Sequence, residues 1–135
     1  MIACMFPGQG SQFQGMGREL FAKYPDLCEI ANQTVGYSIE SLCLENNGGR
    51  MNSTSYTQPA VFFVSCLAFL DRRKEANVTP EIYLGHSLGL YAALFAAGVF
   101  DLAAGLRIVA KRGQLMEAAS EGAMIAVVGE LDGLQ

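Results

Sequence analysis

Within Gly85-His86-Ser87-Leu88-Gly89 a serine stands between two glycines, each two residues away, directly after an apolar run at 82–84 and directly before another at 88–97. That placement predicts a strand, a sharp turn and a helix, the context a nucleophile elbow requires. Small residues at 85 and 89 let the chain turn sharply. The Ser87 hydroxyl would then stand at the mouth of a sheet, and the Leu88 backbone N–H, at the start of the helix, would face a developing oxyanion. The chemistry implied is covalent acyl transfer through the serine. A plainer reading is a glycine-rich strand-to-helix turn whose serine merely caps the helix.

A second glycine-rich stretch, Pro7-Gly8-Gln9-Gly10-Ser11-Gln12, also follows an apolar run. A dinucleotide fingerprint would need glycine at 13, where Phe13 stands, and no phosphate loop with its Gly-Lys-Ser/Thr ending is present. What remains is a loop presenting Gln9 and its N–H groups to a nearby reaction centre, or a tight solvent turn. Cys4, Cys28, Cys43 and Cys66 contain no CxxC pair and sit in apolar contexts, so they read as buried thiols, with no metal site implied. His86 is the one histidine in the sequence. It adjoins Ser87, and neighbours at a sharp elbow point apart, which makes it a poor base for that serine.

These residues need elements to hold them. The apolar run 2–6, ended by Pro7-Gly8, predicts a buried strand, and residues 20–30 follow with helical spacing. A short helix is expected over 39–44, and Asn46-Asn47-Gly48-Gly49 is the clearest loop signal. Thr57-Gln58-Pro59 would open a second long helix, with proline in its first turn, running to about Glu75. A buried strand at 82–84, a helix over 88–97 closed by Gly98, and a helix capped by Asp101 and running to about 119 complete the pattern. Residues 124–128 read as a third strand. Strands alternating with helices indicate an α/β architecture with a parallel sheet.

The chain has 135 residues, 51% of them hydrophobic and 16% charged, the composition of one globular domain. Nine Lys and Arg against thirteen Asp and Glu give a formal charge of −4. An acidic chain whose basic clusters are Arg72-Arg73-Lys74 and Lys111-Arg112 does not suggest a nucleic-acid partner, and the first cluster, followed by Glu75, reads as a solvated helix face. The run 82–100 is interrupted by Gly85, Gly89 and Gly98 and holds His86 and Ser87, so a strand followed by a helix explains it better than a membrane span. With no basic and apolar leader at the N-terminus, a cytoplasmic protein is expected.

Four motifs then carry a resemblance: the Phe6-Pro7-Gly8-Gln9-Gly10-Ser11-Gln12 opening, Tyr56-Thr57-Gln58-Pro59-Ala60, Gly85-His86-Ser87-Leu88-Gly89, and Lys111-Arg112-Gly113-Gln114-Leu115-Met116. In this order and spacing they resemble malonyl-CoA:acyl carrier protein transacylases and the trans-acting acyltransferases of polyketide synthases. The resemblance implies a hydrolase-like parallel sheet with flanking helices. It also implies transfer of malonyl from CoA through Ser87 to the phosphopantetheine thiol of an acyl carrier protein, with no cofactor. By the same resemblance Gln9 and the Leu88 N–H form the oxyanion hole, Gln58, His86 and Met116 line the site, and Arg112 pairs with the malonyl carboxylate. A planar fork suits that pairing. Taken without the resemblance, Arg112 is either a surface charge or, through helical spacing from Ile108 and Leu115, a partly buried guanidinium. Leu88 also resembles the small apolar residue of acyltransferases that prefer unbranched malonyl.

The family usually places an acidic residue where this chain has Leu90. Hydrolysis of the acyl-enzyme is therefore the runner-up, and a module that only docks a carrier protein comes third. The family's base is a second histidine further downstream, in a domain about twice this long. The chain thus reads as the N-terminal half: 1–122 belong to the hydrolase-like core and 123–135 begin a small ferredoxin-like subdomain, with a separate chain carrying the remainder as one arrangement.

Overall fold

The computed structural model describes residues 1–76 and 79–119. Two strands, β1 (Ala3–Phe6) and β2 (Ile82–Gly85), pair in parallel, with Ala3 opposite Ile82 and Phe6 opposite Gly85. Parallel pairing needs a long crossover. Here it consists of α1 (Arg18–Phe21), α2 (Pro25–Val35), α3 (Ile39–Glu45), a 3₁₀ stretch (Asn47–Asn52) and α4 (Thr54–Ala76). After β2 come α5 (Gly89–Ala96) and α6 (Leu102–Ala118). The expected alternation of strand and helix is what the chain adopts. The strand expected at 124–128 and the boundary at 122 lie outside the described residues.

Three boundaries differ from the sequence reading. The helical pattern at 20–30 is two helices, because Pro25 cannot continue α1 and instead sits in the first turn of α2. The loop at 46–49 is wound into 3₁₀ turns broken by positive φ at Gly48 and Gly49. Helix α4 begins at Thr54, three residues before the expected start at Thr57, so Pro59 lies inside the helix. The earlier start is held by the Ser53 carbonyl, which accepts from the Tyr56 and Thr57 N–H groups at 3.1 and 2.9 Å.

Helix α4 is the centre of the molecule, and α1, α3, α5 and α6 all pack on it. Phe62, Phe63, Cys66 and Leu67 from α4, Ile39 from α3, and Leu106 and Val109 from α6 form its buried core. Phe63 stacks on Phe21 at 6.2 Å between ring centres, and Phe62 meets Phe95 edge-on at 6.4 Å. Helix α6 starts where expected: the Ala104 N–H donates to the Asp101 carboxylate at 2.7 Å. Arg72, Arg73 and Lys74 lie on the exposed face at the end of α4, as their charge pattern suggested.

The two strands are not buried on both faces as expected. Cys4, Phe6 and Tyr83 turn toward α4, while Ala3, Met5, Ile82 and Leu84 are exposed, because the described helices cover only one face of the pair. Cys28, Cys43 and Cys66 are buried thiols as expected, and Cys4 is half-buried. Burial pushes the Cys43 thiol up to about 12 and that of Cys66 higher still, so neither offers a thiolate at neutral pH. No helix among the described residues is long and apolar enough to cross a membrane.

Candidate functional site

The carboxyl ends of β1 and β2 lie side by side, so the two glycine-rich turns that leave them meet. After β2 the chain reverses within three residues. A Cβ at Gly85 would fall 2.2 Å from the Gly89 backbone, and one at Gly89 would fall 2.3 Å from the Phe6 carbonyl oxygen, so neither position admits a side chain. Ser87 takes the strain of the reversal: its φ is 51°, left-handed backbone that a residue with a Cβ seldom adopts. Its side chain is thrown outward and is exposed.

The turn hands over directly to α5. Gly89 N–H donates to His86 O at 2.9 Å, Leu90 N–H to Ser87 O at 3.1 Å and Tyr91 N–H to Leu88 O at 3.1 Å. The Leu88 N–H lies ahead of this ladder, among the donors a helix leaves free at its start. Leu88's own side chain is buried, which anchors the turn. His86 fixes the turn to the first strand through its backbone, donating to Phe6 O at 3.1 Å, and its imidazole lies against Gly8.

Residues far apart in sequence complete the cluster. Gln58, fully buried on α4, accepts from Arg112 Nη1 at 2.7 Å and directs its Nε2 toward Gln9 Oε1 at 3.4 Å and Met116 Sδ at 3.2 Å. Gln9 Nε2 in turn donates to Thr54 Oγ1 at 3.2 Å. The other arm of the Arg112 fork, Nη2, approaches Ser87 Oγ at 3.5 Å. Gln9, Gln58, Ser87, Arg112 and Met116 are thus joined by side-chain contacts at the end of the sheet, and His86 and Leu88 flank Ser87 in the turn, with the His86 ring against Gly8 rather than in that cluster.

Arg112 is partly buried as expected, for a different reason from the one its spacing gave. Ile108 and Leu115 are 42% and 60% exposed, so they do not form the buried face of α6. That face is Leu102, Gly105, Leu106, Val109 and Gly113. Arg112 lies at its border and is drawn in by Gln58 and by the ring of Tyr91, whose centre is 5.8 Å from the guanidinium carbon. Two residues of the cluster were missed in the sequence. Thr54 carries no local signal, but Tyr91, four residues after Ser87, is placed one helical turn from it and was open to that inference.

An exposed nucleophile-type hydroxyl, N–H donors around a sharp turn and a guanidinium held within reach form an arrangement suited to attack on a carbonyl whose acyl group ends in an anion. The family model for the acyl transferase domain matches residues 4–132. The polyketide biosynthesis malonyl CoA-acyl carrier protein transacylase BaeC of Bacillus velezensis is 50% identical over 129 residues, covering 96% of this chain and 45% of that protein. The malonyl CoA-acyl carrier protein transacylase of Bacillus subtilis is 42% identical, covering 95% of this chain and 42% of that protein. Among solved structures, the malonyl CoA-acyl carrier protein transacylase of Burkholderia pseudomallei superposes with a TM-score of 0.87 at 43% identity, covering 88% of this chain and 41% of that one. A type II polyketide synthase acyl-carrier protein in complex with its malonyl-transacylase matches at a TM-score of 0.81 and 35% identity, over 89% of this chain and 40% of that one. The chain spans less than half the length of these relatives.

Proposed function

Because the chain belongs to the acyl transferase domain family, we propose that it carries the nucleophile and acyl-recognition side of an acyltransferase that moves malonyl from CoA to an acyl carrier protein. The observation that carries this reading is the single cluster in which Ser87, at a φ of 51°, lies 3.5 Å from an arginine whose other arm is fixed by buried Gln58. In the first half-reaction Ser87 Oγ attacks the thioester carbonyl and forms an ester. The C–S bond breaks, and CoA leaves as the thiol with the serine's proton. The Leu88 N–H, with Gln9 on the facing loop, stabilises the negative charge on the carbonyl oxygen during the attack. Arg112 pairs with the free carboxylate and so orients the acyl group. In the second half-reaction the phosphopantetheine thiol of the carrier protein attacks the ester, and Ser87 is released with its proton.

Among the described residues His86, the one histidine of the sequence, makes no hydrogen bond to Ser87, whose hydroxyl meets Arg112 instead, so His86 is not placed to take the serine's proton and another group serves as the base. In this reading the sheet is hydrolase-like and the described residues belong to that core. Hydrolysis, suggested by Leu90, stands second, since the relatives described above are transacylases.

The test is intact mass before and after brief exposure to malonyl-CoA, on the chain alone and on the chain co-expressed with the remaining portion of the Bacillus velezensis relative. One added malonyl group, absent in Ser87→Ala and passed on to an acyl carrier protein, is the expected result. Labelling that survives Ser87→Ala, or free malonate in place of the acylated carrier, would overturn it.

A further inference from the structure

Arg112 has a support that the proposed reaction leaves unexplained. Gln58 holds one nitrogen of its fork at 2.7 Å, whereas the other reaches Ser87 Oγ only at 3.5 Å, too long to stop the group pivoting about the first. The guanidinium carbon also lies over the ring of Tyr91, 5.8 Å from its centre, within the range of a cation–π contact. Tyr91 is half-buried on α5, and its N–H donates to Leu88 O at 3.1 Å, so it belongs to the same first turn that sets Ser87 and the Leu88 N–H. The distance between guanidinium and nucleophile is therefore tied to the elbow itself, and not only to the packing of α6 on α4.

We propose that Tyr91 is a positioning residue for Arg112: its ring holds the guanidinium where the fork meets a carboxylate on the acyl group, and so sets selectivity for acyl groups ending in a carboxylate. The inference rests on the reading of Arg112 as the carboxylate partner. An aliphatic side chain at 91 fills space without attracting a cation. Phenylalanine keeps the ring face, which is the part the geometry uses.

The experiment is calorimetric titration of malonyl-CoA and acetyl-CoA into the full chain carrying Ser87→Ala, which removes the hydroxyl that would be acylated. Tyr91→Leu is expected to weaken malonyl-CoA about fivefold, the scale of one partly desolvated cation–π contact, with acetyl-CoA unchanged. Tyr91→Phe should keep the parent's preference. Should Tyr91→Leu lose its cooperative melt, Tyr91→Met gives a second non-aromatic side chain of similar reach. Equal losses for both thioesters, or an unchanged preference in the non-aromatic variants, would overturn the proposal while leaving the role of Arg112 intact. Arg112→Ala separates the two ideas. If it leaves the malonyl preference untouched, or if the parent has none, the reading of Arg112 fails and the role of Tyr91 falls with it.

Discussion

On one face of the β1–β2 pair, Phe6 and Tyr83 lie edge-on against Phe69, with ring centres 5.9 and 5.8 Å away. On the other face Met5 and Leu84 are 75% and 47% exposed. An apolar groove of about 490 Å³ also runs between β1 and α4, lined by Cys4, Met5, Phe13, Val64 and Phe69 among others. The sequence of both strands is apolar at nearly every position, as expected of a parallel sheet covered on both sides. The difference teaches that, within the described residues, the strand pair is packed on its α4 side and bare on the other. The site hangs from the carboxyl end of the strands, where the covered side meets the elbow.

Substitutions can break this contrast or sharpen it. Gly85→Ala should have the largest effect, because the added methyl would meet the Gly89 backbone at 2.2 Å; loss of the cooperative melt, or a melt kept only with the elbow displaced and Ser87 unreactive, is expected. Phe63→Ala, on the covered side and fully buried, should cost about 3–5 kcal/mol in denaturant unfolding. Asp101→Ala removes the carboxylate that caps α6 and should cost about 1 kcal/mol, restored in part by Asp101→Ser.

A smaller effect is expected where Lys23 meets Asp71 at 2.8 Å. The hydrogen bond from Lys23 holds the Asp71 carboxyl below its ordinary value, and the same bond raises Lys23. The Asp71 contribution is thus present above the ordinary carboxylate range and lost as pH falls through the lowered value. That of Lys23 is present below the ordinary lysine range and lost as pH rises through the raised value. Lys23→Met should flatten the acid limb of a stability–pH curve slightly. Met5→Glu, on the uncovered face, should change unfolding free energy by no more than about 0.5 kcal/mol and reduce binding of a hydrophobic dye. A loss comparable to that of Phe63→Ala would erase the contrast between the two faces.

The elbow was legible because its information is local. Gly85, Ser87 and Gly89 lie within five residues, and a turn that tight leaves few residue types that fit. The cap of α6 was legible for the same reason, since Asp101 and the Ala104 N–H are three residues apart. The start of α4 was misplaced because Pro59 suggested a first turn, whereas the turn is begun by the Ser53 carbonyl upstream. Arg112 was placed partly in the interior through its spacing from Ile108 and Leu115, which the fold leaves outside.

The sequence by itself determined which residue types stand at the end of the sheet, the reversal at Ser87, and the succession of strands and helices, because each of these is settled by neighbours within a few residues. Only the tertiary structure decided that Gln58 bridges Gln9 and Arg112 across separations of 49 and 54 residues, that Arg112 rests against Tyr91, and that one face of the strands is covered and the other is not. Those contacts depend on how α4 and α6 pack beside the elbow. A helix's own periodicity says which residues share a face, and it does not say what that face will meet.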